Sequence, residues 1–195
     1  MSRSRKVEAG AAVSAAMSLF WSKGYASLGT RQIEEETGIT RFTLQTTYGG
    51  KMKLFLTALD RYLDLLDQSE MLASIDAGLE GIAQFFEMRA DPTQMHEDGC
   101  QGCFLLNTLI EFSTDNPEVN KRATRYFTTL RQKFATTLED TLVDKTKVAA
   151  RTEVLVSATL GLNAMIRAHE QPQPGVVMAN AIGDMVRSWG EDEQA

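Results

Sequence analysis

Residues 30 to 55, TRQIEEETGITRFTLQTTYGGKMKLF, constrain the fold more than any other stretch of this chain. They read as two short helices joined by a tight turn, with a third helix opening soon after. Thr30 is placed to cap the first helix, and Ile33 and Thr37 lie four residues apart on one side of it. Gly38 supplies the positive φ that the turn needs, and Ile39 plugs the angle between the helices. Thr40 caps the second helix, whose Leu44 and Tyr48 point inward. Left facing outward are Arg41, Phe42, Thr43, Gln45, Thr46 and Thr47. A helix this short, carrying polar and basic side chains, fits the major groove of DNA. An ordinary αα-turn in a helical protein is the alternative reading of the same residues.

The residues upstream favour the first reading. Val13, Ala16, Met17 and Phe20 recur at helical spacing, and Gly24 in Trp21-Ser22-Lys23-Gly24-Tyr25 is a natural helix stop. Ala16-Met17-Ser18-Leu19-Phe20, Gly24-Tyr25, Ile33, Gly38-Ile39-Thr40, Thr43-Leu44, Tyr48, Lys51 and Leu54 stand in an order and spacing that resembles the TetR family of transcriptional regulators over residues 7 to 56. Three positions depart from that pattern. Gln45 stands where the family usually has a phosphate-bonding Tyr, Glu34 where it has a small Ala, and Met52 where it has a Glu. Gln45 retains the chemistry to bond a phosphate or an adenine edge. Glu34, Glu35 and Glu36 put an acidic run beside a surface meant for phosphates, which weakens non-specific binding unless the carboxylates turn to solvent.

A net charge of −6 looks wrong for a DNA binder until it is divided along the chain. Residues 1 to 53 carry eight basic against four acidic side chains, a balance of +4, whereas the remainder carries twelve against twenty-two, a balance of −10. A positive end of this kind is steered to phosphates while the acidic body is held away. Arg3, Arg5 and Lys6 read as a short polar tail before the first helix, able to reach phosphates or stay solvated. At 195 residues, 43% hydrophobic and 24% charged, the chain has the composition of a soluble globular protein with a sizeable core. It shows neither a membrane-length apolar run nor a secretory leader, so a cytoplasmic location is expected.

Beyond residue 56 the pattern stays helical. Helices are expected over 51–71, 75–89, 103–112, 117–144, 147–168 and 175–189, with a loop over 93–102 and a break at Pro172-Gln173-Pro174. The last two carry broad apolar faces: Val154, Leu155, Ala158, Leu162, Met165 and Ile166 on one, Val176, Val177, Ala181, Ile182, Met185, Val186 and Trp189 on the other. Small residues, among them Gly161, Ala164, Ala179 and Gly183, permit close helix approach. The faces could pack within one subunit. The family resemblance implies that they form a four-helix interface between two, which would present two reading heads to the half-sites of a palindrome.

Cys100 and Cys103 are the only cysteines, spaced Cys-x-x-Cys, with His96 nearby. Three readings compete. A zinc site would lack a clear fourth ligand among Glu97, Asp98 and His169. A redox or electrophile switch would exploit a thiol at a helix start. Otherwise Cys103 is a small buried apolar residue and Cys100 an incidental thiol. Gly102-Cys103-Phe104-Leu105-Leu106-Asn107 followed by Glu111 also resembles a segment common in TetR-like regulators. An enzyme is the alternative class, a small helical thiol-redox protein using Cys100 and Cys103. No phosphate-cradling glycine loop or paired-histidine motif supports catalysis, and Cys-x-x-Cys redox motifs usually follow a strand.

The sequence therefore predicts an all-α protein of about nine helices: a three-helix DNA-binding domain over 1–50, then a larger ligand-binding and dimerisation domain over 51–195. The expected partners are a double-stranded palindromic operator, a second copy of the chain and a small-molecule effector, with no cofactor, metal or membrane. DNA contacts are assigned to Thr30, Arg31, Arg41, Thr43, Gln45, Thr46, Thr47 and Lys51. Candidate effector contacts are Phe85, Phe86, Met88, Cys103, Asn107, Glu111, Tyr126, Phe127, Met165 and His169. The resemblance implies a repressor released by its ligand.

Overall fold

No proline interrupts the first 91 residues, and the chain there winds into helix after helix, broken at glycines and at side chains that cap. The computed structural model describes residues 2–94, 101–112, 115–142, 144–168 and 173–191, with the side chains of 2–9 and 94 excepted. Among these residues there is no strand. The helices are α1 (Ser2–Lys23), α2 (Thr30–Thr37), α3 (Arg41–Thr46), α4 (Lys51–Asp67), α5 (Glu70–Ser74), α6 (Gly78–Ala90), α7 (Phe104–Phe112), α8 (Pro117–Thr141), α9 (Val148–Ala168) and α10 (Gln173–Glu191), with short 3-10 turns at Ile75–Ala77, Pro92–Gln94 and Lys145–Lys147.

Local chemistry moves several boundaries from where periodicity alone sets them. α1 reaches back to Ser2, so Arg3, Arg5 and Lys6 lie on its first turns rather than in a tail, as no helix breaker precedes Gly10. The helix expected over 51–71 stops at Asp67 because Ser69 intervenes. Its hydroxyl donates to the Leu66 carbonyl and accepts from the Leu72 amide, ending α4 and starting α5. Asn116 does the same for α8, its Oδ1 accepting from the amides of Glu118 and Val119 at 3.0 and 3.2 Å. α10 begins at Gln173 and takes Pro174 into its first turn, where a missing amide costs nothing.

The chain forms two compact units, Met1–Leu65 with Phe104–Ala123, and Leu66–Cys103 with Thr124–Ala195. α7 and the start of α8 belong to the first of these units. Its core is aromatic. Phe55 of α4 meets Phe20 of α1 at 5.1 Å and Phe104 of α7 at 5.6 Å, both edge to face, and Tyr25 lies 5.1 Å from Phe112. Arg122 of α8 forks onto Asp60 of α4 at 2.6 and 2.7 Å and also binds Glu118, an arrangement that raises its pKa, mainly through the bond to Asp60. In the second unit Phe85 and Phe86 of α6 pack on Phe134 of α8, and Arg187 of α10 bridges Glu80 and Glu87 of α6.

Candidate nucleic-acid interface

Gly38 adopts φ 71° and its amide bonds the Glu34 carbonyl, closing α2 with a left-handed residue. Two residues on, Thr40 accepts from the Thr43 amide at 3.1 Å and starts α3. Ile33, Ile39 and Leu44 are buried between the helices, and Tyr48 is half-buried. This is the helix-turn-helix geometry that the spacing predicts, with one change. The capping position of α2 is Gly29, which has no side chain to offer, and Thr30 is the first helical residue, exposed.

Arg31, Arg41, Gln45, Thr46 and Thr47 are exposed around α2 and α3, while Thr43 is half-buried. Two of the threonines are partly engaged: Thr43 accepts from the Thr40 hydroxyl, and Thr46 donates to the Phe42 carbonyl. Phe42 itself is 77% exposed. Lys51 opens α4 with its Nζ 4.0 Å from the centre of the Tyr25 ring. Burial holds its ammonium below the usual lysine range, and the nearby Glu111 charge works the other way.

The acidic run is paired rather than idle. Glu35 bonds Arg31 at 2.8 Å, Glu36 bonds Lys23 at 3.0 Å, and Glu34 lies 3.9 Å from Arg41. Each carboxylate thus sits on a cation of the same head. Both partners are exposed in the Arg31–Glu35 pair, so a phosphate can displace the acid at small cost.

Sequence reasoning missed the strut that holds this head. Glu111, at the end of α7, accepts from the Tyr25 amide at 2.8 Å and the Ala26 amide at 2.5 Å. Gly24 turns the chain there with φ 78°, and a Cβ on it would lie 3.2 Å from the carboxylate. Glu111 is one of the effector candidates that the sequence offers. It is exposed, and its bonds go to the corner between α1 and α2.

The effector candidates are divided between the two units. Asn107 and Glu111 belong to the first unit, while Phe85, Phe86, Met88, Cys103, Tyr126, Phe127 and Met165 belong to the second. Phe85 and Phe86 are fully buried in the aromatic core, Tyr126 is buried, and Met88, Phe127 and Met165 are half-buried. Burial pushes the Tyr126 phenol up, with the neighbouring Cys103 adding to the effect. His96, Cys100 and His169 lie outside the described residues. Cys103 is 4% exposed, which leaves its sulfur out of reach of a disulfide substrate and weakens the thiol-redox alternative. Among the described residues no group of three metal-binding side chains occurs, and no helix is long and apolar enough to cross a membrane.

The outer faces of α9 and α10 are split. Leu155, Leu162, Ile166, Ile182, Val186 and Trp189 point into the second unit, with Ile182 only 8% exposed. Val154, Ala164, Val177 and Ala181 face outward, Val177 at 68%.

Comparison with known proteins gives this geometry its context. Residues 12–58 match the family of bacterial regulatory proteins, tetR family, and residues 78–182 match the tetracyclin repressor-like C-terminal domain. The chain belongs to the TetR family. A TetR transcriptional regulator from Chloroflexus aurantiacus shares the fold at a TM-score of 0.80, with 19% identity over 96% of this chain and 97% of that one. A cysteine-substituted form of the TetR family regulator CifR, complexed with 26-bp double-strand operator DNA, superposes at 0.72 with 18% identity, over 92% of this chain and 95% of that one. The HTH-type transcriptional repressor ComR of Escherichia coli is 29% identical over 112 residues, 56% of this chain. That match spans 53% of ComR, about half its length.

Proposed function

We propose that this TetR-family chain is a sequence-specific DNA-binding transcriptional repressor without enzymatic activity, acting as a homodimer on a palindromic operator and released by a small molecule. The observation that carries the reading is the exposed α3, capped by Thr40 behind a left-handed Gly38 and flanked by Arg31, Arg41 and Lys51. Thr30 and Lys51 anchor phosphates at the starts of α2 and α4. Arg31 reaches a phosphate or base, and Arg41, Thr43, Gln45, Thr46 and Thr47 read the groove. The net charge of +4 over residues 1 to 53 draws this head, rather than the acidic remainder, to DNA.

The exposed Val154, Val177 and Ala181 supply an apolar face for the second copy. Effector contacts fall to Met88, Cys103, Tyr126, Phe127 and Met165 of the second unit, with Phe85 and Phe86 as their packed floor. Glu111 transmits rather than binds, since α7 follows directly on Cys103 and ends on the corner that leads into α2. Repression follows the family and the repressor ComR, and effector release follows the tetracyclin repressor-like C-terminal domain that residues 78–182 match. Incubating the purified chain with a random duplex pool tests the reading. Enrichment of one inverted repeat is expected, and recovery of no preferred sequence would overturn it.

A further inference from the structure

Phe42 is the most exposed large hydrophobic side chain among the described residues, at 77%, and it sits on the second residue of α3. Its surroundings are polar: Arg41 precedes it, Gln45 and Thr46 follow at helical spacing on the same side, and all are exposed. A ring left in water at the centre of a charged and hydroxylated face gains only from a partner with an apolar spot. The DNA major groove offers one such spot on its standard bases, the C5-methyl group of thymine. The rest of the face narrows the register. Thr46 spends its hydroxyl proton on the Phe42 carbonyl at 2.8 Å, so that side chain offers a methyl and acceptor lone pairs but no donor. Gln45 remains the amide able to fork onto an adenine edge.

We propose that Phe42 is a specificity-determining residue that packs its ring on a thymine C5-methyl in each half-site. The inference deepens the DNA-binding reading and rests on it. Its consequence is selection against cytosine and uracil at one position per half-site through a methyl contact, without a hydrogen bond from that residue.

The test uses the full chain and the palindrome it enriches, with each thymine replaced in turn by deoxyuridine. That exchange removes the methyl and leaves every hydrogen-bonding group in place. Wild-type affinity should fall about fourfold per half-site at one symmetric position, the ratio for withdrawing one methyl-sized group from water. Phe42→Ala should bind the thymine and deoxyuridine duplexes alike, and Phe42→Leu should keep part of the preference. Indifference of the wild type to every exchange would overturn the proposal, as would an undiminished thymine preference in Phe42→Ala. Failure to enrich any duplex would instead overturn the DNA-binding reading, so the two failures are distinguishable.

Discussion

Replacing Glu111 by glutamine removes the charge of the strut while nearly preserving its shape. The carboxylate accepts two backbone bonds, from Tyr25 at 2.8 Å and Ala26 at 2.5 Å. A glutamine offers one acceptor and turns a donor toward the other amide. Hydrogen bonds to charged groups are worth more than neutral ones, but this site is open to water and takes the lower end of the range. The expected loss for the pair is about 1–2 kcal/mol of stability. The effect should be local first. Hydrogen exchange at the Tyr25 and Ala26 amides should accelerate about tenfold, the factor that about 1.4 kcal/mol gives, with smaller changes in the distant core. Gly24→Ala provides the cross-check, since its Cβ would stand 3.2 Å from the same carboxylate on a residue with φ 78°. That strain costs about 1–2 kcal/mol by itself. The two changes share one corner, so their effects should not add. Unaltered exchange at Tyr25 and Ala26 in Glu111→Gln would refute the strut.

Glu35→Gln frees Arg31 from its ion pair, so non-specific DNA affinity should rise and the salt dependence of binding should steepen; a fluorescence titration across salt concentrations that found neither would show the pair to be irrelevant. Lys51 loses its proton at a lower pH than an ordinary lysine because of burial, so DNA affinity should decline earlier on the alkaline side than Lys51→Arg allows. Glu111 raises that pKa, so Glu111→Gln should move the decline to still lower pH, and identical pH profiles for all three proteins would contradict the role of Lys51. Val177→Glu puts a charge on the exposed apolar face without touching the core, and should yield folded monomers by light scattering; an intact dimer would place the interface elsewhere.

Much of the head could be read from the chain because its signals are local. Gly38, Thr40 and the Ile33, Ile39, Leu44 spacing each act within one or two turns, and each is found in that role. The division at Ser69 was hidden, since Leu63 and Leu66 continue an apolar stripe that masks a capping serine. The role of Glu111 as a strut leaves no pattern in the sequence. Its partners stand 85 and 86 residues earlier and are backbone amides, which leave no mark in side-chain sequence. The apolar faces of α9 and α10 were legible as faces, but helical periodicity does not say which flank turns inward, so Ile182 and Val177 read alike and differ in the structure. Phe42 was visible as an outward residue on α3, but its use depends on an exposure that sequence does not supply.

On this reading α3 recognises a specific duplex sequence. Its most direct test is the affinity of the full chain for its enriched palindrome against a scrambled duplex of the same composition, titrated over a range of salt concentrations. A ratio of about a thousandfold or more is expected near physiological salt, with both affinities falling as salt rises. Equal affinities for the two duplexes, or no salt-dependent binding to either, would contradict it.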